Sequence, residues 1–280
     1  YNITIDATNA CGTSSDASSF TITKSPNITM PVGDSLCFGE SISIVPTISD
    51  GTPSFTYSWT PSTGLSSDIV LDPIASPSSD ITYTLSVLDN AGCGDTDTIN
   101  IVVNALPIVE AGINQTICLG DSAVLVASVT SGNPAYTYSW SPAAGLSSAN
   151  VLNPSASPIS DQFYTLTVID SFGCESLDSV LVVVNSLPIV DAGNDAGACV
   201  NGSLQLGAVV SGGTSPYTYN WSPSGGLSDS TISDPFILVT GSVTLGLTVI
   251  DANNCIGMDS VLISDIGLPL PAFTMDTATG

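Results

Sequence analysis

Histidine is absent from the 280 residues, and the only basic residue is Lys24, set against 25 acids for a formal net charge of −24. Without an imidazole the chain lacks the commonest general base, the usual metal-binding ring and every Ser/His or Cys/His nucleophile pair, so no enzymatic activity is expected of it. One base cannot neutralise a run of phosphates, which excludes nucleic acid and anionic membrane surfaces as partners. No apolar run approaches the ~20 residues that span a bilayer, so no membrane insertion is expected. The N-terminus has no basic-then-apolar leader pattern, and the sequence reads as a piece of something longer. Helical periodicity is missing throughout. What the chain does have is apolar material, 43% of its residues, enough for two or three cores.

That material is arranged in a repeat. Trp59, Trp140 and Trp221 are spaced by 81 residues, as are Cys37, Cys118 and Cys199, then Cys93, Cys174 and Cys255, and finally Pro26, Pro107, Pro188 and Pro269. With proline as the boundary mark, full repeats occupy 26–106, 107–187 and 188–268. Residues 1–25, with Cys11, read as the C-terminal part of a truncated repeat, and 269–280 as the start of a further one. Each repeat alternates β-branched or aromatic runs, such as Ala123–Val129 and Phe163–Val168, with turn residues such as Gly120, Asp121 and Gly173. Six or seven short strands in about 81 residues predict an all-β fold of tandem immunoglobulin-like β-sandwiches. The linkers ending in Leu106-Pro107, Leu187-Pro188 and Leu268-Pro269 are short and stiffened by proline, so an extended rod is expected.

Phe55, Tyr57 and Trp59 lie at i, i+2 and i+4, and the pattern recurs at Tyr136, Tyr138 and Trp140 and at Tyr217, Tyr219 and Trp221. In a strand these share one face. The reading preferred here is the sandwich core, with Trp59, Trp140 and Trp221 at its centre; a sugar-stacking platform is the alternative. A binding role would sit best in the loops through Gly64-Leu65, Gly145-Leu146 and Gly226-Leu227.

Seven cysteines without zinc-finger spacing or Cys-x-x-Cys point to disulfides and an extracellular location. In the expected topology Cys118 lies near the far end of its sandwich and Cys174 near the other, roughly 25 Å apart, whereas bridged Cα atoms lie within about 7 Å. That favours bridges across junctions, Cys37–Cys174 and Cys118–Cys255, with Cys11, Cys93 and Cys199 seeking partners elsewhere. The alternative is intradomain pairing, Cys37–Cys93, Cys118–Cys174 and Cys199–Cys255. Lys24 is the only lysine, so the later repeats have none for isopeptide cross-links.

Two carboxylate series recur: Asp89, Asp170 and Asp251 end one strand, and Asp97, Asp178 and Asp259 open the next. Solvated turn residues that satisfy local N–H groups are the plain reading. No cofactor is required. Calcium at the domain junctions, held by Asp89, Asp170, Asp251, Glu110, Asp191 and Asp195, is the one ion these oxygen ligands would suit.

The stretches Ala111–Ser122, Tyr138–Leu146 and Tyr164–Cys174 resemble the PKD-like and Ig-like repeats of large Bacteroidota surface proteins, and the likeness covers essentially the whole chain. Trp140 is followed by Ser141-Pro142, where the strict PKD motif has a Phe-Gly-Asp-Gly turn. The resemblance implies a cell-surface adhesin or gliding-motility filament exported by type IX secretion. Its partners would be neighbouring repeats of the same chain, other filament subunits and an external glycan or surface. It also implies O-glycosylation at Thr98, Ser179 and Ser260, each preceded by Asp and followed by an aliphatic residue. The expected function is a structural segment providing reach and strength, with glycan or surface binding through the loops after the tryptophans as the alternative.

Overall fold

The computed structural model describes residues 2–19 and 22–267, so Pro269 and the expected start of a further repeat lie outside the described residues. Among the described residues the secondary structure is entirely β. Strands β1 (Asn2–Asn9) and β2 (Gly12–Ser19) form an antiparallel hairpin. The first repeat carries β3 (Asn27–Thr29), β4 (Asp34–Cys37), β5 (Ile42–Ser43), β6 (Thr47–Ser49), β7 (Thr56–Thr60), β8 (Ile74–Ala75), β9 (Ile81–Leu88) and β10 (Gly94–Asn104). The second carries β11 (Ile108–Glu110), β12 (Gln115–Cys118), β13 (Ala123–Val124), β14 (Ser128–Thr130), β15 (Thr137–Ser141), β16 (Ser155–Ala156), β17 (Gln162–Ile169) and β18 (Glu175–Asn185). The third carries β19 (Pro188–Asp191), β20 (Ala196–Ala198), β21 (Ser203–Gln205), β22 (Val209–Gly212), β23 (Thr218–Ser222), β24 (Phe236–Leu238), β25 (Val243–Ile250) and β26 (Ile256–Asp265). Eight strands per repeat exceed the six or seven read from sequence, because two- and three-residue pairings such as β5 with β8 are too short to leave a period-2 pattern.

One layer of the first repeat is the sheet β4-β10-β9-β7, and the other consists of the pairs β3-β6 and β5-β8. The same order returns as β12-β18-β17-β15 and β20-β26-β25-β23. Alternation explains the packing: along β9, Tyr83, Leu85 and Val87 point inward, and they meet Ile28, Ile44, Trp59, Ala75, Ile99 and Ile101 from the other strands. In the third repeat Leu245, Leu247 and Val249 of β25 play the same part with Leu206, Trp221, Ile237, Val261 and Ile263. Each fully buried aliphatic or aromatic side chain contributes roughly 1.5–3 kcal/mol.

The prolines that mark the period sit against glycines. Gly132 has φ +73°, and a Cβ there would stand 3.0 Å from the nitrogen of Pro107 and 3.2 Å from a carboxylate oxygen of Asp170. Gly213 (φ +60°) meets Pro188 and Asp251 in the same way. Only glycine tolerates that left-handed backbone together with so close an approach.

The chain packs as two compact units. The first holds the described residues up to Val109 with Val129–Thr137 and Val168–Ser176; the second holds Glu110–Ser128, Tyr138–Thr167 and the described residues from Leu177 onward. These units do not coincide with the sequence period, because the end of the second repeat that carries Cys174 packs in one unit with the first repeat.

Candidate functional site

The last strand of each repeat sets where the cysteines go. In the first repeat β10 begins beside Cys93 and ends at Asn104, which lies opposite Cys37 on the parallel neighbour β4. Eleven residues separate Cys93 and Asn104, so the two cysteines sit at opposite ends of a strand about 35 Å long. The third repeat is alike: Ala198 lies opposite Asp265 at one end of β26, and Cys255 precedes its other end. Intradomain bridges Cys37–Cys93 and Cys199–Cys255 are therefore ruled out by reach, and Cys118–Cys174 because both of its cysteines are bonded elsewhere.

The structure joins Cys37 to Cys174 and Cys118 to Cys255, each with 5.5 Å between Cα atoms and 137 residues apart in sequence. Each bridge ties a turn of one repeat to a hairpin of the next, and each lies inside one packing unit. The turn is built the same way twice: the carbonyl of Cys37 accepts from the N–H of Glu40 at 3.0 Å and that of Cys118 from Asp121 at 2.9 Å. The N–H groups of Phe38 and Leu119 donate to the carbonyls of Asn104 and Asn185, which pins the turn to the last strand. Cys11, Cys93 and Cys199 are free thiols among the described residues.

The hairpin half depends on an aspartate that sequence reasoning took for a solvated turn residue. Asp89, Asp170 and Asp251 are buried, and each stands four residues before its cysteine. One carboxylate oxygen of Asp170 accepts from the N–H of Asn133 at 2.9 Å, and the other from Phe172 at 2.9 Å and Cys174 at 3.0 Å. Asp89 takes Thr52, Ala91 and Cys93, and Asp251 takes Thr214, Asn253 and Cys255. Each aspartate thus clamps the hairpin and fixes the backbone of the cysteine. The Thr52 N–H, helped by other backbone donors, holds the carboxyl of Asp89 below its ordinary value. At Asp170 and Asp251 burial pushes the other way, and the backbone donors outweigh it, so both also lie low. The signal was in the spacing: an Asp four residues before each of Cys93, Cys174 and Cys255, and none four before Cys11, whose N–H goes to Asn9 instead.

The second aspartate series ties strands together. Asp97, Asp178 and Asp259 on the last strand accept the N–H groups of Met30, Ala111 and Ala192, each the residue just after the first strand. The Ala192 donor lowers the Asp259 carboxyl. The neighbouring Thr98, Ser179 and Ser260 are exposed, with Thr98 opposite Thr84 and Ser260 opposite Gly246 in the ladder. They lie on the outer face of a central strand.

No three acidic, histidine or cysteine side chains gather into a metal site among the described residues. Asp89, Asp170 and Asp251 have their oxygens turned to backbone N–H groups, Asp191 accepts from Gly193 and Asp195 from Leu262, while Glu110 is exposed on β11. Five of the six candidate carboxylates thus accept from backbone N–H groups.

The aromatic rows face inward. Trp59, Trp140 and Trp221 are buried, their indole N–H groups donating to the carbonyls of Val70, Val151 and Ile232 at 2.8–3.0 Å. Phe55, Tyr57, Tyr217 and Tyr219, partly buried, pack against the same cores, as the core reading expects. In the loops after the tryptophans Leu65, Leu146 and Leu227 bridge back to Ala75, Ala156 and Ile237. Tyr83 and Tyr164, missed in the sequence reading, are fully buried and donate to the carbonyls of Thr63 (2.6 Å) and Ala144 (2.9 Å).

Fold and junctions together define tandem immunoglobulin-like β-sandwiches with disulfides between neighbours. Comparison with solved structures finds an I-band fragment of titin at 12% identity, covering 86% of this chain and 98% of that one, with a TM-score of 0.48. The N-terminal eight Ig domains of Down Syndrome Cell Adhesion Molecule match at 12% identity, 94% and 46% coverage and a TM-score of 0.43. Mouse cadherin-23 EC22-24 matches at 14% identity, 87% and 99% coverage and a TM-score of 0.32. No protein-family model matches the chain, and no curated protein matches it.

Proposed function

We propose that this chain is a load-bearing segment of an extracellular adhesin or surface filament, whose repeats supply reach and mechanical strength. The observation that carries this reading is the pair of overlapping 137-residue bridges, each coupling one repeat to the next where force would pass between them. Disulfides of this kind suit an oxidising exterior. The resemblance to Bacteroidota surface repeats supports a cell surface reached by type IX export. The inward aromatics leave the glycan-platform alternative without support. The partners proposed are neighbouring repeats, and the segment is proposed to work without a cofactor.

The test is made on native source cells, with thiols trapped by an alkylating reagent before lysis and an antibody to the segment applied to intact cells. Surface labelling together with linked Cys37–Cys174 and Cys118–Cys255 peptides is the expected result. Alkylated, unpaired Cys37 and Cys118, or label only after permeabilisation, would overturn the proposal.

A further inference from the structure

We infer that Cys93 and Cys199 are the two open halves of a third staple, and that a second repeat of this kind completes each: Cys93 takes a turn cysteine and Cys199 takes a hairpin cysteine. The inference rests on the junction geometry and not on the filament reading. Cys93 sits in the same clamp as the bonded Cys174 and Cys255. Its N–H donates to Asp89 at 2.8 Å, its carbonyl accepts from the Asp89 N–H at 2.9 Å, and the N–H of Gly92 donates to the Asp89 carbonyl. The matching bonds at Cys174 run to Asp170 at 3.0 Å each way. Cys199 sits in a turn closed as at Cys37 and Cys118, its carbonyl accepting from the N–H three residues on, that of Gly202, at 2.8 Å, though this turn is tied through Asn201 to Val239 and not through Val200 to the last strand.

A second observation shows what fits on the hairpin. Cys174 and Cys255, on which a turn of the preceding repeat lies, are 0% exposed, whereas Cys93 is half-buried. Beside it Leu88 is 50% exposed, against 37% for its counterpart Ile169. The free hairpin therefore presents, partly open, the thiol and apolar flank that a turn covers in the stapled copies. The occupant of stated chemistry is a turn of this type, and a second copy of the chain carries one at Cys199.

The bond forms by two thiol–disulfide exchanges with a small-molecule disulfide, here oxidised glutathione. The Cys93 thiolate attacks one glutathione sulfur, giving a mixed disulfide and one glutathione thiol. The Cys199 thiolate of the second copy then attacks the Cys93 sulfur and expels the other glutathione. Two protein thiols are oxidised to one disulfide, and one glutathione disulfide is reduced to two thiols.

The experiment uses the full chain with Cys11→Ser throughout, bearing either Cys93→Ser or Cys199→Ser, at tens of micromolar in a glutathione redox buffer. Each variant alone should stay monomeric, and the equimolar mixture should give a covalent dimer, sensitive to reductant, whose only new bridge is Cys93–Cys199. Without Cys93→Ser or Cys199→Ser, the same chain should give a ladder of longer species. Dimers of either variant alone, joined Cys93–Cys93 or Cys199–Cys199, would overturn the inference. So would a mixture that stays monomeric while Cys37–Cys174 and Cys118–Cys255 are mapped intact.

Discussion

Pulling the chain between Pro26 and Gly267, with the two staples present, removed singly or removed together, gives extensions that overlapping bridges alone predict. With both present, the shortest covalent path through a fully unfolded chain runs from Pro26 to Cys37, across to Cys174, back to Cys118, across to Cys255 and on to Gly267. That is 79 residue steps in place of 241. At about 3.6 Å per residue these correspond to roughly 280 and 870 Å. Cys37→Ser or Cys118→Ser alone leaves a path of 104 steps, about 25 steps or 90 Å longer. Removing the second staple then adds 137 steps, about 490 Å. The effects are strongly non-additive, because with both staples the loaded path doubles back through the overlap. The assay is single-molecule force spectroscopy with handles at the two positions, read as total contour length. Equal increments for the two removals would refute the overlapping arrangement, as would a wild-type length unchanged by reductant.

Four further outcomes are expected. Gly132→Ala forces a Cβ onto Pro107 and a left-handed backbone onto alanine, and should destabilise by about 1–3 kcal/mol in denaturant unfolding, with an unchanged midpoint counting against the contact. The lowered carboxyls of Asp89, Asp170, Asp251 and Asp259 contribute stability that is fully present above their unfolded value, about 3.9, and is lost as pH falls through the folded values. Midpoints should thus hold from pH 7 to about 5 and fall below about 4, with a shallower fall in Asp170→Asn; identical slopes would show that the clamp contributes nothing. Chelation or millimolar calcium should leave Tm unchanged, since Asp89, Asp170, Asp251, Asp191 and Asp195 each accept from a backbone N–H, and a rise of several degrees with calcium would reverse that expectation. Thr98, Ser179 and Ser260 are proposed glycosylation sites, so peptides that carry them, cut from natively purified protein, should exceed their bare peptide masses, and bare masses for all three would exclude modification.

The 81-residue period, the sandwich and the central tryptophans were legible because each repeats one pattern three times, and an alternation that buries Trp59 must bury Trp140 and Trp221 as well. The carboxylates were harder. Asp89 and Asp97 are both short acids near a turn, and only the fold shows that one faces the N–H of Thr52, 37 residues back, and the other that of Met30, 67 residues back. Composition cannot distinguish a clamp from a solvated turn, because the distinction lies in long-range backbone donors. The loops after the tryptophans conceal their pairing for a related reason. Gly64-Leu65 looks like an open turn, yet Leu65 pairs with Ala75 and packs on the core. Two-residue pairings of this kind leave no period for a sequence to show.

Placing each bridge one repeat beyond its own domain changes how much chain can be drawn out. An intradomain scheme would shield the residues from Cys37 to Cys93 and leave the 25 steps from Cys93 to Cys118 loaded in every 81-residue repeat. Cross-junction bridges span 137 residues, so a continuous series of them, with Cys93 and Cys199 also engaged, would leave 25 steps loaded in every two repeats. The same number of cysteines then halves the slack. The loaded stretch is also well placed: most of Cys93 to Asn104 is β10, paired antiparallel to β9 along Gly94–Ile101 and parallel to β4 along Ile101–Asn104. Tension along a strand held on both sides acts on many ladder bonds at once. Resistance to extension in such a chain would come from the last strand of each repeat and from the aspartate that clamps the hairpin at its start.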